Sequence, residues 1–171
     1  DPQNLTMKAL SALSEVPDLS VVVILGVAYG YRRSLQEFVT KAASQTTVLR
    51  NVEHMAEIFF DADLVLCSGG MTVFEIAALG RPGVVLCQNT RERDRMDKFS
   101  SYGTICHLGL GTEVPEQTIR EKVEALFQDF GRRREMGLAG SRLVDANGAK
   151  RVYEVIKKAG NKGPAQGGRW Q

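Results

Sequence analysis

Ala62-Asp63-Leu64-Val65-Leu66-Cys67-Ser68-Gly69-Gly70-Met71-Thr72-Val73-Phe74-Glu75-Ile76-Ala77-Ala78-Leu79-Gly80-Arg81-Pro82 is the stretch that decides the fold. An apolar run stops at Ser68-Gly69-Gly70, and a helical pattern starts at once with one acid, Glu75, in its first turn. This reads as a buried strand, a tight glycine turn and the open N-terminus of a helix. Glycines let backbone N–H groups approach an anion, and the helix dipole favours negative charge there. Thr72 adds a hydroxyl, and a carboxylate one turn in suits ribose hydroxyls better than phosphates. The chemistry fits a nucleoside diphosphate. The bland alternative is an ordinary β–α connection, since short glycine motifs recur by accident.

Outward from this stretch, strands and helices alternate. Leu19 to Leu25 is a continuous β-branched run, expected to be buried on both faces. Thr46 to Leu49, Leu64 to Cys67, Val84 to Cys87 and Thr104 to Leu108 are further strands. Asn4 to Ser14 carries a helical stripe with Asn4 or Thr6 as cap. Tyr31 to Ala43, His54 to Phe60, Thr72 to Leu79 and Arg91 to Ser101 are helices between strands. Pro115 to Phe130, Arg132 to Val144 and Asn147 to Ala159 are closing helices. The pattern implies a Rossmann-like, doubly wound α/β domain with a parallel sheet and helices on both faces. It occupies residues 1–159, and 160–171, rich in Gly, reads as a flexible tail.

Composition narrows the function. The chain has 171 residues, 43% hydrophobic and 25% charged, as an ordinary globular domain has. Net charge of +2 is too weak to argue for nucleic acid. No apolar run approaches membrane-spanning length, and no signal peptide is visible. Three cysteines, Cys67, Cys87 and Cys106, lack paired spacing, which argues against a disulfide framework or zinc site and fits a reducing cytoplasm.

Four stretches carry a resemblance: Asp1 to Thr6, Asn51 to Glu57, Ser68 to Pro82, and Val144 to Val152. Together they are similar to the C-terminal half of GT-B-fold nucleotide-sugar enzymes. One relative is the N-acetylglucosaminyl transferase of peptidoglycan synthesis. Closer are the spore-coat polysaccharide biosynthesis proteins and the UDP-sugar hydrolase of pseudaminic acid synthesis, towards which the last stretch points. The resemblance implies a UDP-sugar ligand, cleavage of a C–O or P–O bond at the sugar-1-diphosphate, and neither metal nor cofactor, since helix ends can carry diphosphate charge. It also implies a further strand and an N-terminal domain upstream of Asp1. With that strand restored the sheet has six strands in the order 3-2-1-4-5-6, and Ser68-Gly69-Gly70 lies at the switch point where ligands bind.

The resemblance assigns a ligand-facing set: Met55, Ser68, Gly69, Gly70, Met71, Thr72, Glu75, Gln88 and Asn89. Backbone groups at Met55 would read the uracil edge, or its side chain is simply core. Gln88 and Asn89 would face the sugar, although a charged run follows them where the transferase carries paired glutamines. Alternatively Asn89 or Thr90 only caps a helix. The charges Glu92, Arg93, Asp94, Arg95, Asp97 and Lys98 read as a solvated face, as do Arg132 to Arg134. His54 and His107 have no second ligand at metal spacing and read as structural. The loop Gly26 to Gly30 lacks dinucleotide spacing. No residue here is expected to be catalytic. Two other readings stay open: a non-catalytic Rossmann-like binding module, and half of a UDP-sugar 2-epimerase of the same fold.

Overall fold

The computed structural model describes residues 1–41 and 45–160. In chain order the elements are α1 (Leu5–Leu13), β1 (Ser20–Leu25), α2 (Arg32–Lys41), β2 (Gln45–Arg50), α3 (Met55–Asp61), β3 (Val65–Cys67), α4 (Thr72–Ala78), β4 (Gly83–Cys87), α5 (Thr90–Ser100), β5 (Ile105–Leu110), α6 (Glu116–Gln128), α7 (Phe130–Leu143) and α8 (Gly148–Gly160). The expected end of the second helix at Ala43 and the tail from 161 lie outside the described residues. Gly160, read as the first tail residue, closes α8.

The strand pairs are all parallel, as the βα alternation demands. Among the described residues they form two sheets, β1–β2 and β3–β4–β5, not one. The two sheets agree with the two wings of the expected order 3-2-1-4-5-6. β1 is hydrogen-bonded on one side only, and this corrects its reading as a strand buried on both faces: Val23 and Leu25 are buried, while Val22 is 49% exposed. β4, central in its sheet, has all five residues buried.

The core follows from this layering. On one face, Ala9, Ala12 and Leu13 of α1 meet Ile119, Val123 and Leu126 of α6 over β4. On the other, Val73 and Ala77 of α4 pack with Met96 and Phe99 of α5. α4 ends in a Schellman motif: Gly80 takes a φ of 67°, its N–H donates to Ala77 O at 3.0 Å, and Arg81 N–H donates to Ile76 O at 2.8 Å. α7 then lies against α4 with only glycine between them. A Cβ at Gly137 would land on the Gly80 carbonyl, and one at Gly140 would sit 3.0 Å from Ala77 Cα.

Two helix ends differ from expectation. Asn4 precedes α1 in a left-handed conformation, φ 51°, which turns its side chain away from the helix to accept a hydrogen bond from Tyr29 Oη at 2.8 Å. Asp1 caps instead, its carboxylate accepting from Leu5 N–H at 2.8 Å, Thr6 N–H at 2.9 Å and the Thr6 hydroxyl at 2.7 Å. α8 does not close against the body. Its described side chains are exposed, including Val152, Val155 and Ile156 on one stripe. Asp145 anchors its start by a two-point ion pair with Arg151, which holds that carboxyl down at about 2.

Candidate nucleotide site

β3 and β4 are adjacent and parallel, so the loops after them share one edge. Ser68, Gly69 and Gly70 follow β3, and Gln88 and Asn89 follow β4. Met71 is 69% exposed and Thr72 half-buried. Thr72 to Ala78 is helical, and while Phe74 N–H donates to Met71 O at 2.9 Å, the N–H groups of Thr72 and Val73 have no intrahelical acceptor. Glu75 is exposed, one turn in, with its carboxylate free of any drawn-in burial. Met55 opens α3, its side chain packed against the cluster of Phe59, Val65 and Ile76. The apolar part of Met55 is therefore core, and only its backbone is left to read a base.

The glycine turn is not an empty cradle. Glu92, one turn into α5, reaches back over it. Its Oε2 accepts from Gly69 N–H at 3.1 Å and from Gln88 N–H at 2.9 Å, and its Oε1 lies 3.3 Å from Asn89 Nδ2. Asn89 is the α5 cap, its Oδ1 accepting from Glu92 N–H at 3.0 Å. Half of a capping box is present, the Asn89 side chain capping Glu92 N–H, while the acid reaches past the cap's own N–H to that of Gln88 and to the loop after a second strand. Arg95 donates to the Gly69 carbonyl at 3.0 Å. Gly69 is buried, and a Cβ there would meet Met96 Cγ at 2.8 Å, Glu92 Cβ at 2.9 Å and Cys87 Sγ at 3.0 Å. So Gly69 is glycine because α5 lies on it. Gly70 differs: a Cβ would meet only Ser68 Oγ, at 3.6 Å.

The charged run on α5 is thus only partly a solvated face. Arg93 and Asp94 pair with each other in the open. Glu92, Arg95 and Asp97 turn towards the strand ends. Asp97 Oδ1 accepts from His107 Nδ1 at 3.0 Å, and His107 Nε2 lies 3.2 Å from Cys87 Sγ. His107 sits inside β5, not at a strand end where it would cap. Burial pushes the Cys87 thiol up to about 11, with Glu92 and Asp97 adding to the shift. Burial likewise lifts Cys67 to about 12, with Cys87 and Glu75 contributing. Cys87 therefore stays an S–H that donates to His107, and the Cys87–His107–Asp97 chain is an internal brace rather than a nucleophile and its base. All three cysteines are free thiols.

Arg133 is likewise no free surface charge. It donates to the Leu126 carbonyl at 2.8 Å and to the Phe127 carbonyl, closing the end of α6. No single-residue signal marks Glu92, Arg95, Asp97 or Arg133. The Asn89-x-x-Glu92 spacing is the one sequence signal that could have pointed to Glu92.

A parallel α/β domain with an open glycine turn at its strand ends is the architecture of a nucleotide-sugar-binding half of a GT-B fold. Residues 4–152 match the glycosyltransferase family 28 C-terminal domain, and the chain belongs to that family. It is 26% identical over 160 residues to the spore coat polysaccharide biosynthesis protein SpsG of Bacillus subtilis, covering 92% of this chain and 47% of that protein. It is 30% identical over 124 residues to the Haemophilus ducreyi UDP-N-acetylglucosamine–N-acetylmuramyl-(pentapeptide) pyrophosphoryl-undecaprenol N-acetylglucosamine transferase, covering 69% of this chain and 34% of that one. The crystal structure of MurG from Acinetobacter baumannii shares the fold, with a TM-score of 0.67 at 17% identity over 86% of this chain and 46% of that one. The chain thus spans half or less of the length of these relatives. No helix among the described residues is long and apolar enough to cross a membrane.

Proposed function

We propose that this domain binds a UDP-sugar at the Ser68–Thr72 turn and forms one half of a transferase or nucleotide-sugar hydrolase of surface polysaccharide synthesis, spore coat or nonulosonic acid. The observation that carries the reading is the exposed Glu75 one turn beyond an open helix start, on the edge where the β3 and β4 loops meet. In this reading the amides from Gly70 to Thr72 take the diphosphate, Glu75 accepts from the ribose hydroxyls, and the backbone at Met55 reads uracil. Ser68 and the half-buried Gln88 side chain border the sugar, with Asn89 at the rim. A second domain closes the cleft and brings the reacting groups. Family membership and a relative named for spore coat polysaccharide synthesis support the pathway class. Three free thiols agree with a cytoplasmic setting.

Titration of the chain with UDP and ADP by calorimetry or NMR is the test. UDP is expected to bind with a Kd of roughly 10 μM to 1 mM, because half of the cleft is supplied elsewhere. Glu75→Ala should keep the fold and weaken UDP by about 1.5–3 kcal/mol, the range for hydrogen bonds to a charged group. Equal affinity for ADP and UDP would remove the uracil role of Met55. Unchanged UDP binding in folded Glu75→Ala would reduce Glu75 to a helix-start charge.

A further inference from the structure

We propose that Glu92, together with Arg95, is a positioning residue of the nucleotide site, a role that rests on the UDP reading above. The Glu92 carboxylate occupies the Gly69 N–H that a phosphate would otherwise take, while Arg95 holds the carbonyl of the same residue. Both backbone polar groups of one residue, in the two peptide units that flank it, are therefore fixed by one helix. The same carboxylate oxygen also accepts from Gln88 N–H, so the β3 and β4 loops are tied at a single atom.

The consequences are chemical. A carboxylate seated on Gly69 repels an anion from that amide, so the diphosphate register begins at Gly70, not at Gly69. The carboxylate is kept in place by its own cap, Asn89, and by the α5 anchors further along, buried Met96 and the Asp97–His107 contact. Gly69 has no room for a side chain, so the turn cannot slide away from α5 without breaking these contacts. The binding amides are thereby pre-set before ligand arrives, which lowers the ordering cost of binding.

NMR of the full chain with UDP as the probe tests this. In the free protein the Gly69 and Gln88 amide protons should both be slow to exchange, because they share one carboxylate oxygen. Glu92→Gln keeps an acceptor for both amides, so it should leave both protected and hold UDP affinity within about threefold. Glu92→Ala should speed exchange of the Gly69 amide and weaken UDP about tenfold or more, and Arg95→Ala, which removes only the carbonyl contact, should also weaken it about tenfold. If Glu92→Ala does not fold, Arg95→Ala decides by the same measure. Fast exchange of either amide in the wild type would overturn the clamp whatever UDP does. Wild-type UDP affinity in folded Glu92→Ala or in Arg95→Ala, or equal losses in Glu92→Gln and Glu92→Ala, would overturn the positioning role alone. No saturation of the wild type at about 10 mM UDP would overturn the nucleotide reading and, with it, this role.

Discussion

Gly69 and Gly70 stand side by side and are glycine for different reasons. Gly69 is pressed by Met96, Glu92 and Cys87, whereas Gly70 borders open space. Gly69→Ala is expected to lower stability by about 1–3 kcal/mol, the usual cost of overpacking, since Met96 is fully buried and has nowhere to retreat. Gly70→Ala should stay within about 0.5 kcal/mol of the wild type, as a surface loop change does. Chemical denaturation of the two variants measures both. A cost at Gly70→Ala equal to that at Gly69→Ala would sink the α5-contact account. From the sequence, the pair read as one anion cradle. The reason lies in range: the atoms that crowd Gly69 come from residues 18 to 27 positions away, and no local pattern announces them.

The strands and helices were legible wherever an apolar run met a turn signal. Val84 to Cys87 and Thr72 to Leu79 lie within a residue of β4 and α4. What local reading missed was how helices seat on one another. The α4–α7 contact depends on Gly137 and Gly140 lying over Gly80 and Ala77, and a glycine inside a helix looks from sequence like a weakness. Two effects oppose each other in Gly137→Ala. Helix propensity favours alanine by up to about 1 kcal/mol, while the added methyl strikes a backbone carbonyl that cannot rotate away. The clash should win, for a net loss of about 2 kcal/mol. Gly131→Ala, in the exposed first turn of the same helix, meets only Asp129 Oδ1 at 3.4 Å and should be neutral or stabilising. Thermal melts of the two variants separate propensity from packing. The α5 acids were misread for a related reason: helix spacing pairs charges along one face, but it cannot show which face a strand end will meet.

At the scale of the molecule, the shared edge of the β3 and β4 loops was legible from the strand–helix alternation, and neither described histidine is placed for acid–base work there. Both ring nitrogens of His107 are engaged, by Asp97 and Cys87, and its side chain is 6% exposed. His54 stands exposed before α3 with no partner drawn to it by burial. General acid–base chemistry needs a group within hydrogen-bond reach of the reacting oxygen. The chain alone is therefore expected to turn over no UDP-N-acetylglucosamine, by mass spectrometry of released UDP and sugar. Steady turnover abolished by His54→Ala would move the catalytic group into this domain.

The separation of β1 from β3 carries a practical consequence. Each of these strands has hydrogen-bonding partners on one side only among the described residues, so each carries a row of amide and carbonyl groups with no strand partner there. Such a row is a template for any extended polypeptide, including another copy of the chain.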